Sequence, residues 1–139
     1  MIDGEISFKS LLYITESLEQ LIGANGSKAV LRMAGQRAAV NLIEMLPLTL
    51  PEEDAARRIG PMLVELGFIG EMSYSGSDLI QVTGNQVRLE LAALGLKDFA
   101  SSGYYVIGLF EGFLKQLSNS KRKVISVETD QGGETWKLG

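Results

Sequence analysis

The 139-residue sequence predicts an α+β domain: an antiparallel sheet of about four strands covered on one side by helices. Three observations carry this. Apolar residues recur at helical spacing through residues 7–66, alternate at period two after Gly67, and then form a glycine-bearing helix followed by a second alternating pair. The resulting order is three helices, a hairpin, a helix and a hairpin. It forms one domain spanning 1–139, within the range of about 100–150 residues where single domains cluster.

The first helix is read from Phe8, Leu11, Leu12, Ile14, Leu18, Leu21 and Ile22, with Lys9, Glu16, Glu19 and Gln20 on the opposite face and Ser7 as its cap. It stops at Gly23-Ala24-Asn25-Gly26. A second helix over 27–46 is apolar on nearly every side and is expected to be buried nearly all round. Pro51 followed by Glu52, Glu53 and Asp54 starts a third helix, with acids facing the positive end of the dipole. Gly60-Pro61 should kink it or divide it in two. Residues 68–74 and 79–83 read as strands joined by Ser75-Gly76-Ser77-Asp78. Residues 86–94 fit either a continued strand past a bulge at Gly84-Asn85 or a helix. Asp98, Ser101 and Ser102 can cap the helix over 104–117, and two strands turning at 130–133 finish the chain.

Composition removes whole classes of chemistry. The chain has no histidine and no cysteine, so the commonest general base, thiolate metal ligands and histidine-ligated haem are excluded. With 17 acids against 13 bases it carries a net charge of −4, which disfavours nucleic acid as a partner. No apolar run reaches the roughly 20 residues of a membrane helix, and no secretory signal pattern opens the chain. No phosphate-cradling glycine motif, metal-ligand cluster or nucleophile with a base partner is present. The domain therefore reads as non-enzymatic, and as a binding or assembly module.

Two features of the helix over 104–117 invite a binding role. Gly108 and Gly112 stand four apart, at about 1 kcal/mol each against alanine, so something large is expected to pack there. Beside them, Tyr104, Tyr105, Phe110 and Phe113 form either plain core or one wall of an apolar pocket. The small-residue patch Ala34-Gly35 and Ala38-Ala39 on the second helix is either a core contact or a dimer interface. Lys121-Arg122-Lys123 either balances the helix dipole or meets an anionic lipid or phosphate.

Taken in order, several of these features resemble the 4-vinyl-reductase domain family. They are the helix Leu31-Arg32-Met33-Ala34-Gly35-Gln36-Arg37-Ala38-Ala39, the Leu66-Gly67-Phe68 lead into a hairpin, the helix with Gly108 and Gly112, and the Val127-Glu128 strand before a glycine turn. The likeness spans most of the chain. It implies a fold shared with the TRAPP vesicle-tethering subunits and, distantly, with haem nitric-oxide sensors, and an association with bacteriochlorophyll biosynthesis and small-molecule binding. By position, Gly108, Gly112 and Glu128 match the family's glycine-bearing helix and the glutamate after it. Members usually carry cysteines around the last hairpin. Here residues 129–136 have none, which speaks against metal-dependent activity.

The resemblance thus implies an apolar small-molecule binder, for a tetrapyrrole or another hydrocarbon-rich ligand, in pigment metabolism or photosystem assembly. Tyr104, Tyr105, Gly108, Phe110, Gly112, Phe113, Glu128 and Trp136 would line its pocket. The alternative is a homodimeric tethering or scaffold module without a ligand, pairing through Leu31, Ala34, Gly35, Ala38 and Ala39 and serving a protein complex. Either would act in the cytoplasm or at the periphery of a membrane.

Overall fold

The computed structural model describes residues 4–42, 49–75, 78–86, 103–130 and 133–139. The described elements are α1 (Gly4–Leu42), α2 (Glu52–Glu65), β1 (Glu71–Tyr74), β2 (Leu79–Thr83), α3 (Tyr104–Ser118), β3 (Val124–Asp130) and β4 (Gly133–Leu138). The four strands form one antiparallel sheet in the order β1-β2-β4-β3, giving the predicted α+β class.

The first two predicted helices are one element, α1, broken at Gly23, whose φ of 80° and ψ of 170° are non-helical. The break thus falls at the first residue of the predicted Gly23–Gly26 stop. α1 is already helical at Gly4, so Ser7 lies inside the first turn instead of capping it. α2 starts as expected, with Pro51 at the cap position and Glu52, Glu53 and Asp54 in its first turn. It runs through Pro61 in one piece, with Pro61 on its exposed side. Ala55, Ile59 and Leu63 bury its stripe, while Leu66 stays exposed.

β1 is shorter than the predicted strand because Phe68 still belongs to the helix end, its amide donating to the Leu63 carbonyl at 3.0 Å. β2 ends at Thr83. Residues 87–94, and the caps at Asp98, Ser101 and Ser102, lie outside the described residues. Ile80, Val82, Trp136 and Leu138 are buried on the sheet face that α3 covers, while Gln81, Thr83 and Lys137 are exposed. The register sets Ile80 and Val127 on either side of Trp136, whose ring meets Phe110 edge-on at 5.7 Å.

The other side of α3 packs on α1 with almost no space between the backbones. A Cβ on Gly108 would collide with the Arg32 carbonyl oxygen, and one on Gly35 with the Tyr105 carbonyl oxygen. On Gly112 it would lie 2.6 Å from the Ala39 Cβ and 2.7 Å from the Gln36 oxygen. What packs on the two glycines is therefore a helix.

This close crossing corrects the expectation that the second predicted helix is buried all round. Among its described residues, 27–42, only Ser27, Leu31, Gly35 and Ala39 are buried; Val30, Met33, Val40 and Leu42 remain 40–51% exposed. A uniformly apolar helix has been covered on one side, because its small residues were the ones able to meet the α3 backbone.

Since backbone cannot move aside as a side chain can, Gly108→Ala should lower stability by about 3 kcal/mol or more in urea denaturation, beyond the usual ~1–3 kcal/mol of overpacking. Ala34→Gly, on the exposed side of the same helix, should lose only about 1 kcal/mol, the propensity difference.

Candidate functional site

Among the described residues, the sequence-predicted ligand residues are distributed between the core, the α1–α3 crossing, an exposed strand position and two clefts. Phe110, Phe113 and Trp136 are fully buried in the core, and the Trp136 Nε1 donates to Glu134 Oε1 at 3.2 Å. Gly108 and Gly112 are covered by α1, and Glu128 is exposed on β3. Tyr105 is half-buried against Phe68, ring centroids 5.8 Å apart, and burial raises its pKa. Tyr104 lines one open cleft, with the Lys28 ammonium 5.3 Å above its ring, and Gly112 lines another. The space proposed beside the glycines is filled by the Arg32, Gln36 and Ala39 turns of α1.

The proposed interface residues divide similarly. Leu31, Gly35 and Ala39 are spent on the intramolecular crossing, Ala38 is half-buried and Ala34 is exposed. The face left open is the opposite one, carrying Val30, Met33, Ala34 and Val40.

Beside the crossing lies a polar centre that sequence reasoning missed. Glu111 stands in the apolar run of α3 and is 4% exposed. Its carboxylate accepts from Arg32 through Nε at 2.7 Å and through Nη2, from Gln36 Nε2 at 2.9 Å, and from the Val124 amide at 2.8 Å. Arg32 Nη2 also donates to the Val124 carbonyl at 2.6 Å. One buried carboxylate thus ties α1, α3 and the start of β3 together. The bond to Glu111 raises the Arg32 pKa against the opposing effect of burial. The available sequence signal was one acid in an apolar helix and one of two arginines in another, 79 positions apart.

A second ionic node fastens the basic turn after α3. Arg122 donates to Glu52 Oε2 at 2.8 Å, Asp78 Oδ1 at 2.5 Å and the Leu138 carbonyl at 3.2 Å. Ser120 Oγ donates to Glu52 Oε1 at 2.5 Å. Together they join the start of α2, the first hairpin and the chain's last strand. Burial pushes the Glu52 pKa up, but the bonds from Ser120 and Arg122 outweigh it, so the carboxyl titrates below its ordinary 4.5.

Two adjoining clefts of about 420 and 460 Å³ flank the Glu111 centre and share Gln36 and Lys123. Their charged lining is almost entirely basic, with Glu111 the one acid named in it. Among the described residues no group of three or more carboxylates could hold a metal ion, and no helix is long and apolar enough to cross a membrane. No known family model matches the chain, and comparison with curated proteins finds no match.

Removing one partner of the buried pair leaves a buried charge. Glu111→Ala should therefore cost about 3–5 kcal/mol in urea denaturation. With Arg32→Met added, the double variant should lose less than the sum of the single losses. The node at Glu52 predicts a pH effect. Because its folded pKa is depressed, its contribution is full well above pH 4.5 and is lost as pH falls through the folded value. Between pH 6 and 3 the melting temperature of Glu52→Gln should accordingly fall less steeply than that of the native protein.

Proposed function

We propose that this chain is a non-enzymatic assembly module that works as a homodimer, pairing through the open face of α1. The observation that carries this reading is an inversion of ordinary burial. Along the second segment of α1 the small residues Ser27, Gly35 and Ala39 face inward beside Leu31, while Val30, Met33 and Val40 face solvent on the other side. Before the break at Gly23, Tyr13, Ile14, Leu21 and Ile22 are 50–80% exposed. Exposed apolar side chains thus stand on both segments of α1.

Charge favours a second copy as the occupant. Before Gly23, α1 carries Glu16 and Glu19; after it, Arg37 stands on the open face, while Lys28 and Arg32 are engaged by Tyr104 and Glu111 of α3. A two-fold axis near Gly23, with the helices antiparallel, would bring Glu16 and Glu19 of each copy towards Arg37 of the other. The interface used is thus the one opposite to Gly35 and Ala39, which α3 already covers. An apolar ligand against Gly108 and Gly112 would have to displace α1, which makes assembly the better-supported reading.

Sedimentation velocity at micromolar concentration should show a dimer that Val30→Glu with Met33→Glu converts to a monomer of unchanged circular dichroism. A native chain that stays monomeric and folded at that concentration refutes the reading.

A further inference from the structure

The assembly reading leaves the basic turn after α3 unused, and that turn is part of a larger concentration of charge. The two clefts between α1, α3 and residues 120–123 are lined by seven of the chain's thirteen lysines and arginines. Only one of its seventeen acids, Glu111, joins them, in a protein whose net charge is −4. Three of the seven cations are engaged: Arg32 with Glu111, Arg122 with Glu52 and Asp78, and Lys28 with the Tyr104 ring. Among the described residues the other four, Arg37, Lys115, Lys121 and Lys123, have no carboxylate partner. All four are exposed, and all four line the cleft of about 460 Å³.

We propose that this cleft binds a small anion bearing two or more phosphate groups. Balancing the negative end of the α3 dipole accounts for Lys115 and the turn, but not for Arg37, which is brought to the same cleft from α1. Placing like charges around one cavity costs folding energy, and a multivalent anion reverses the sign of that term. Glu111 does not oppose the anion, because Arg32 neutralises it from within hydrogen-bond distance. The cleft volume falls within the roughly 300–1,000 Å³ of small-molecule sites. Lysines serve as point charges, which suits phosphate oxygens without a fixed bidentate geometry. Arg122 is held by Glu52 and Asp78, so it keeps the turn in place and leaves Lys121 and Lys123 to face the cleft.

The phosphate groups can belong to a free metabolite or to a lipid headgroup, and two probes separate these sources. Calorimetric titration of the full chain with sodium tripolyphosphate at low ionic strength should show one saturable site per chain and a raised melting temperature. The affinity should fall as salt is added. Lys121→Glu with Lys123→Glu should weaken binding about tenfold or more, and the milder Lys121→Ala with Lys123→Ala should weaken it in the same direction. Arg58→Glu, exposed on α2 and outside both clefts, should leave it unchanged.

Flotation with phosphatidylcholine vesicles, with and without phosphatidylinositol bisphosphate, forms the second arm. Binding to the phosphoinositide vesicles but not to tripolyphosphate, lost in Lys121→Glu with Lys123→Glu, assigns the site to a lipid headgroup. Binding to tripolyphosphate alone assigns it to a free phosphate compound. Binding to neither probe overturns the proposal, as does binding reduced equally by the cleft variants and by Arg58→Glu. A chain found to be monomeric would refute the dimer and leave this result standing.

Discussion

The contact on which the remainder depends is the meeting of α1 and α3 at backbone distance. It is permitted by Gly35, Gly108 and Gly112 and by the small side chain of Ala39. Interior glycines weaken a helix by about 1 kcal/mol each, so the crossing has to recover that loss through contact. It recovers it twice. The backbones approach closely enough for dispersion to act along several turns, and they bring Arg32 and Gln36 within reach of Glu111. A wider crossing would leave Glu111 buried without its donors, at the cost of an uncompensated charge. Glycine spacing and buried carboxylate are therefore one device, because each requires the approach that the other secures.

The same contact explains which parts of the molecule were legible in the sequence. Periodicity reports which face of an element is apolar, and so the α+β order, the break at Gly23, the Pro51 start and both hairpins could be read directly. It does not report what covers the face. Gly108 and Gly112 called for a large neighbour, and a helix and a flat ligand satisfy that demand equally well from one sequence. The neighbour is α1, supplied by residues 32–39, so Phe110, Phe113 and Trp136 become core and the expected wall is closed. Likewise Ser7 lost its capping role because the helix starts at Gly4, a boundary set by where the chain stays helical and not by the apolar stripe.

Polar pairing was the least legible layer. Glu111 and Arg32 each interrupt an apolar helix, which marks both as unusual, yet 79 positions separate them. Arg122 shows the same difficulty: its partners Glu52 and Asp78 lie 70 and 44 positions away, on a helix start and a hairpin turn that read locally as ordinary acids. Long-range ion pairs depend on the crossing of elements, which a pattern of period 3.6 or 2 does not encode.

The inversion on α1 follows from this arrangement without further assumption. If α3 must approach at backbone distance, the side of α1 that receives it has to carry small residues, and the bulk of the helix's apolar area is displaced to the opposite side. A helix serving only its own core would normally place polar residues there. Here Val30, Met33 and Val40 stand on that side with Arg37 among them, and Ile14, Leu21 and Ile22 continue the apolar character before the break. Intramolecular packing accounts for Gly35 and Ala39. It gives no reason for Val30 and Met33, which the proposed second copy on that face would supply.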